Sequence, residues 1–553
     1  MVLSGCSTAH YRRSADKQVY GIIQQAQRQV LGQTNAFTID TPYSARKPAE
    51  ILPAELIEDR LQTNRRALTI EVALDLAVHS SRRYQAAKET LFSTTLNLTE
   101  ARYAFSPKLF AASGGTLNRS SSGEQSGEVK SQVGVSQLLR TGGSLGVNLL
   151  NDLLRYYTGD PRRSAVSTIS VNLVQPLLSG FGRNNPAVET LTQAERNVVY
   201  AVRNYSFFQD QFALEIANDY FNLLTQMDGI RNRYTNYLGR VQATQRLEAR
   251  VDRERQVDVD QTRQAELTAK NAYVNDVARY RTALDQFKIK LGLPLGEQVT
   301  LDDQTLDELE RTALVPAPLD PDAVYRLAVQ KQLPTLNAID RFEDLKRKVR
   351  VAASQLKADL TLSGNASLDS DRPTDYTKFD PNQIRAGVGL QLDLPIDRLR
   401  ERNTYRATRV SFEAEVRNLT LTLDNLRDSI ERGVRTLDQR RQNYDIQKSA
   451  LELANRRVVS TTVLLEAGRA EVRNLIEAQD AQIAAQNAVT TALVDYQQSR
   501  LQLMLDIGAL DTDLPKFWLK DHLAAFLPGG TPVATQPASA EQAVLPPDQY
   551  FKN

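Results

Sequence analysis

Val171-Asn172-Leu173-Val174-Gln175-Pro176-Leu177 sets apolar residues against polar ones and then meets a proline. The same figure returns, at an offset of 219, as Leu390-Gln391-Leu392-Asp393-Leu394-Pro395-Ile396. Alternation with a period of two puts one side of a strand in an apolar medium and the other in water. Proline cannot donate to a sheet ladder, so each strand ends there. Beyond each proline the chain changes in kind. From about Pro186 to Gly292 the interior has no proline and only Gly229 and Gly239, and from about Arg400 to Gly508 only Gly433 and Gly468. Both runs are rich in Ala, Gln, Arg, Leu and Glu, which favour helix. Phe208, Phe212, Ile216, Tyr220 and Leu223 recur at helical spacing as one apolar stripe, and Ala478, Ala481, Ala484, Ala485, Ala488 and Ala492 form a small-residue seam.

The likeness between the two runs extends in both directions. Downstream, Arg253, Ala265, Ala269, Asn271, Ala272, Tyr280 and Gly292 match Arg469, Ala481, Ala485, Asn487, Ala488, Tyr496 and Gly508, all at an offset of 216. Upstream, Leu68 to Val78 matches Leu319 to Val329 at an offset of 251, with Leu76-Ala77-Val78 against Leu327-Ala328-Val329. Asp320-Pro321 is a cap and first-turn pair that starts a helix in the second copy. The chain reads as two internal repeats. Before its proline the first copy is the longer, by the difference between the offsets 251 and 219, and after it the copies differ by only three. A nearly constant length suits an element that spans a fixed distance, and a variable one suits loops. Glu466-Ala467-Gly468-Arg469 is the turn signal of the second run, aligned with Val251-Asp252 in the first. Each run therefore predicts a helical hairpin with a first arm of about 65 residues, about 95 Å long.

Leu360 to Leu368, Val388 to Leu394 and Ile169 to Leu173 predict strands, with Leu109 to Asn118 a weaker candidate. Polar loops such as Ser120 to Gly127 and Asp369 to Asp375 separate them. Val133 to Leu139 and Leu145 to Leu150, around Thr141-Gly142-Gly143, are candidates for an extra hairpin that accounts for the surplus of the first copy.

Composition narrows the function classes. The chain has 553 residues, 68 Lys+Arg against 66 Asp+Glu, and a formal net charge of +2. That balance argues against a nucleic-acid partner bound by phosphate neutralisation. One Cys and three His are too few for a zinc cluster or a disulfide scaffold. No apolar run is long enough for an ordinary transmembrane helix. No nucleophile elbow or phosphate-binding lysine loop appears, and His10, His79 and His522 sit in no catalytic pattern. No enzyme activity, cofactor or resident metal is expected. Leu3-Ser4-Gly5-Cys6 resembles a bacterial lipobox. Read so, Cys6 is acylated, and each buried methylene of its chains contributes ~0.8 kcal/mol to anchoring. Read as a chance tetrad, it is a free thiol in a tail.

Taken as an ordered set over roughly residues 60 to 510, these motifs resemble the TolC family of bacterial outer-membrane efflux proteins. The carriers are the Leu-Ala-Val entry helices, the strand-to-helix junctions at Pro176 and Pro395, the hairpin tip at Gly468 leading to Ile476-Glu477-Ala478-Gln479, and Leu291-Gly292-Leu293-Pro294. The resemblance implies a mainly α fold with a β-barrel part. Long α-helical hairpins would form a trimeric α-barrel, and four strands per chain would join a shared twelve-stranded transmembrane β-barrel. The implied organisation is a lead-in over 1–60, a first repeat over 61–294, an equatorial linker over 295–318, a second repeat over 319–510 and a tail over 511–553. Residues 7–60 carry no clear pattern.

The resemblance also implies an exit duct in the outer membrane, with its helices in the periplasm. It would be a homotrimer working with a periplasmic adaptor (membrane fusion protein) and an inner-membrane RND or ABC pump, in efflux or type I secretion. At the periplasmic gate it places Glu477 and Asn474 at two ring positions, and Asp258 where neighbouring helices are tethered. Arg253, Arg255, Arg469 and Arg473 are candidate bridging partners. Asn474 and the first tip, Val251-Asp252-Arg253-Glu254 without its glycine, depart from the family's pattern. The alternative reading is a periplasmic or cytosolic coiled-coil scaffold with no pore.

Overall fold

A computed structural model describes residues 7–158, 163–249, 255–311, 314, 319–371, 375, 377–394 and 396–520. The first part of the chain forms α1 (Thr8–Leu31), α2 (Pro53–Arg60), β1 (Arg65–Leu68), α3 (Ile70–Ser80) and α4 (Arg82–Tyr103). Four strands follow, β2 (Lys108–Arg119), β3 (Gln125–Leu138), β4 (Ser144–Tyr156) and β5 (Arg163–Pro176), and then the helices α5 (Pro186–Glu248) and α6 (Gln256–Leu291). After β6 (Gln298–Leu301) and α7 (Gln304–Arg311) come α8 (Pro321–Lys331), α9 (Leu333–Ser354), β7 (Asp359–Asp369), β8 (Arg385–Asp393), α10 (Leu399–Glu466) and α11 (Val472–Ile507).

Cap residues set the helix starts. The Asn185 side chain accepts from the Ala187 N–H at 2.8 Å, and Pro186 occupies a first-turn position that needs no donor. Asp320 caps α8 in the same way, accepting from Asp322 N–H at 3.3 Å. With no proline to stop it, α5 runs for 63 residues and α10 for 68, about 95 and 100 Å. Element lengths recur along the chain. α3 and α8 have 11 residues each, α4 and α9 have 22, and α6 and α11 have 36.

β2 to β5, β7 and β8 make one antiparallel sheet of six strands, in the order β2-β3-β4-β5-β7-β8. The resemblance had led to four strands per chain, and that number is corrected here. The stretch from Gln125 to Tyr156 is a full hairpin built into the sheet between β2 and β5, closed where Leu139 N–H donates to Gly143 O at 2.7 Å. Gln125 to Gly127 reads as loop in the sequence, yet it pairs with Leu117 to Arg119. Twelve strands from three chains therefore no longer follow.

Beside the sheet, α4, α5, α9 and α10 lie next to one another, and farther from it α6, α5, α11 and α10 do. The short helices thus stack end to end on the returning arms, α4 on α6 and α9 on α11. Two glycines make these joints. Gly292 (φ 81) and Gly508 (φ 75) end α6 and α11 in the left-handed conformation. A Cβ on Gly292 would collide with Ser80 O at the end of α3, and one on Gly508 would lie 2.9 Å from Gln332 N at the end of α8. Only glycine fits either seat.

The main core gathers at mid-height on α5, around Phe212, Ile216, Tyr220, Phe221 and Leu224. The Tyr220 hydroxyl is shared between Leu68 O and Asp302 O, both at 2.9 Å, and so ties down the parallel pair β1–β6. Phe517 and Trp518 pack into the same core from the C-terminal side. The first residues of the chain also depart from expectation. α1 is a 24-residue helix, and its Val19, Ile23 and Ala26 join Leu91, Leu98, Val198 and Val202 in a second core. Cys6, Arg253, Pro395, His522 and the tail from residue 521 lie outside the described residues.

Candidate functional site

Directly opposed residues of an antiparallel pair point to the same side of the sheet, so the register assigns every side chain to a face. Val135 faces Val147 and Val133 faces Leu149, and these continue to Val171 and Ile169 on β5. Leu109 on β2 and Val388, Leu390 and Leu392 on β8 lie on that same side. Most of these side chains are exposed, Leu109 at 81% and Val388 at 83%. The other face carries the charged groups. Lys130 Nζ lies 2.6 Å from Glu128 and 3.9 Å from Asp152. Thr168 donates to Asp369 at 2.8 Å, and Asp369 is also ion-paired with Arg385. A sheet with an exposed apolar face and a charged reverse suits a wall between lipid and water. No described helix is long and apolar enough to cross a membrane.

The helices leave apolar side chains uncovered at both flanks of the layer. Val257, Leu267 and Val274 stand out on α6, and Val416, Leu421, Ile446, Leu453 and Val459 on α10.

At the far end, α10 closes at Gly468 (φ 70), where Arg469 N–H donates to Leu464 O at 2.8 Å. Glu477 and Asn474 are both exposed on the first turns of α11. Glu477 accepts from Arg473 Nε at 3.0 Å and lies 3.9 Å from Arg457, a partner the sequence reading missed. The carboxylate draws the Arg473 guanidinium above its ordinary pKa. Asp258 is buried on α6 and held by Arg255 through two hydrogen bonds, of 2.9 and 3.1 Å. Arg255 and Arg473 are thus paired within their own helical ends, Arg469 lies exposed at the turn, and Asp258 and Glu477 each have a separate arginine. Pro176 ends β5, and the next N–H, of Leu177, donates to Leu360 O at 2.7 Å.

One interior group near the tip went unread in the sequence. Arg240 on α5 is 2% exposed, and it donates to Asp480 at 2.7 Å and to Ile476 O at 3.1 Å on α11. Burial pushes its guanidinium below the usual value, and Asp480 opposes that shift. His79 is exposed with its Nδ1 2.8 Å from Asp75 O, and His10 lies exposed on α1. Among the described residues no group of three or more His, Cys, Asp or Glu is placed to hold a metal ion.

Comparison with solved structures places this geometry. The CmeC outer membrane channel of Campylobacter jejuni superposes with a TM-score of 0.58 at 13% identity, covering 79% of this chain and 85% of that one. The outer membrane protein VceC of Vibrio cholerae gives 0.58 at 15% identity, covering 79% and 96%. The MtrE outer membrane channel of Neisseria gonorrhoeae, in its open state, gives 0.59 at 12% identity, covering 79% and 88%. The chain has the TolC-type fold of outer-membrane channels. No protein-family model matches the sequence, and comparison with curated proteins finds no match. The likeness covers 79% of the chain at 12–15% identity, so the shape is shared by chains that have few side chains in common.

Proposed function

We propose that the chain is the outer-membrane exit duct of a tripartite efflux or type I secretion system, conducting its cargo passively from periplasm to exterior. The carrying observation is the sheet whose exposed apolar face and charged reverse continue into helices about 95 Å long. Three copies, each a duplicated unit, enclose one conduit. The uncovered apolar side chains of α6 and α10 pack against the neighbouring copies. Lipid tolerates no unpaired strand edge, which makes assembly obligatory. The same exposed apolar surface weighs against a pore-free scaffold, for which it would be an aggregation hazard. Energy comes from an inner-membrane RND or ABC pump, reached through a periplasmic adaptor docked on the helix tips. Cys6 is the proposed lipid anchor. Tyr20 packs against Phe92, and Gln27 and Leu31 at the end of α1 line one cavity with Tyr84 at the start of α4. α1 therefore runs antiparallel to α4, with its first residues toward the sheet.

Glu477, Asn474 and Asp258 form the proposed gate region. Arg473 and Arg457 balance Glu477, so Glu477→Ala leaves two unopposed cations per copy. The expected result is a reversal potential shifted toward anions and weaker block by divalent cations; unchanged selectivity and block would remove Glu477 from the constriction. The proposal as a whole is tested by membrane fractionation and planar-bilayer recording. Outer-membrane protein that forms ion-conducting trimers supports it, and a freely soluble monomer with no current overturns it.

A further inference from the structure

We propose that β3 and β4 are wall strands, and that three copies close one eighteen-stranded barrel by pairing β8 of each copy with β2 of the next. This rests on the trimeric-channel reading above. The hairpin runs from Gln125 to Tyr156, a length equal to the surplus of the first half of the sequence over the second. It is not a loop laid over the wall, because β3 separates β2 from β4 and β4 separates β3 from β5, each through a continuous ladder. Excluding it would require breaking both outer ladders and forming a new one between β2 and β5.

Its side chains carry the pattern of the wall. On the apolar side Val129 faces Leu153, Val133 faces Leu149 and Val135 faces Val147. On the reverse Lys130 faces Asp152 and Gly134 faces Asn148. The hairpin thus extends the exposed apolar belt of Ile169 and Val171 and supplies much of the charge on the opposite side. A projection into water has no use for that division.

The edges fit closure by copies of the same chain. β2 and β8 are the two outer strands of the sheet. With six strands, all antiparallel to their neighbours, β2 and β8 run in opposite directions. Pairing β8 with the next copy's β2 therefore keeps the ring antiparallel throughout, as membrane barrels require. Barrel diameter grows about linearly with strand number, so eighteen strands give a ring about 1.5 times as wide as twelve and a cross-section about twice as large. Rings of that size leave an open aqueous channel rather than one filled by side chains. The outer mouth is then porin-sized, and passage is limited at the helical tips.

Single-particle imaging of the full chain, extracted from membranes in detergent, counts the strands directly. A threefold ring of eighteen is expected. Removing residues 125–156 should leave a threefold ring of twelve, about two thirds as wide. A threefold ring of twelve in the intact chain, with the hairpin outside it, would overturn the inference and leave the channel reading standing. A twofold ring would overturn the inference together with the trimer. Extracted protein with no ring would remove both readings. The intact chain decides the matter even if the shortened one fails to fold.

Discussion

Asp344→Ala should lower the stability of the chain by about 1–3 kcal/mol, the cost of leaving buried donors without their shared acceptor. Asp344 is 2% exposed on α9, where it accepts from Tyr200 Oη at 2.6 Å, pairs with Arg196, and lies 3.0 Å from Arg347. Its neighbours extend the network across α5 and α9: Arg347 to Glu189 at 2.6 Å, Arg203 to Asp340 at 2.5 Å, and buried Asn337 to Asn204 at 2.8 Å. An alanine would leave the Tyr200 phenol without its acceptor, Arg196 with Asp340 alone and Arg347 with Glu189 alone, in the seam that binds the first set of helices to the second. Asp344→Asn keeps an acceptor and should cost about half as much, and Lys346→Ala, on the exposed side of α9, close to nothing. Denaturant titration of the solubilised protein measures all three, and a loss below about 1 kcal/mol in the alanine variant would show that the seam is held by packing alone.

Insertion of four residues between Tyr237 and Leu238 should abolish transport, by at least about tenfold, while the sheet still forms. The insertion shifts everything beyond it by about 6 Å along the axis. Arg240 then leaves Asp480 and Ile476 O, and a buried charge loses every partner the structure gives it. A matched insertion in α5, α6, α10 and α11 restores those contacts but lengthens the tube by the same distance. Export in cells where this chain is the sole exit duct separates the two causes. Recovery in the matched variant would locate the defect in packing, and continued loss would locate it in the span between the membranes. Full transport in the single insertion would defeat both explanations.

Much of the fold was legible because its signals are local. The two prolines, the alternation before them and the proline-free runs after them locate β5, β8 and the long helices almost to their ends. β3 was only half legible. Its water-facing positions are Ser126, Glu128, Lys130 and Gln132, and with Gly127 among them the start of the strand has the composition of a turn. α1 was missed because Val19, Ile23, Ala26 and Val30, though spaced as a helix face, are scattered among Gln and Arg. At the tip, the spacing of Arg473 and Glu477 was readable as one helical turn, whereas Arg457 belongs to the opposite arm. Arg240 had no sequence signal at all, since its role is set by Asp480, far along the chain on another helix. Partners brought together by folding leave no periodicity in the chain.

The seats of Gly292 on Ser80 and of Gly508 on Gln332 have a mechanical consequence. With their upper ends set against backbone, α6 and α11 are blocked from sliding toward the sheet, and a tilt about that contact is the motion it opposes least. Each is a lever of 36 residues, about 54 Å from fulcrum to tip. A tilt of about 5° at the fulcrum would carry the tip sideways by roughly 5 Å, the width of a strand spacing. Were the tips to line the proposed gate, its dilation would demand almost no disturbance where the arms are hinged.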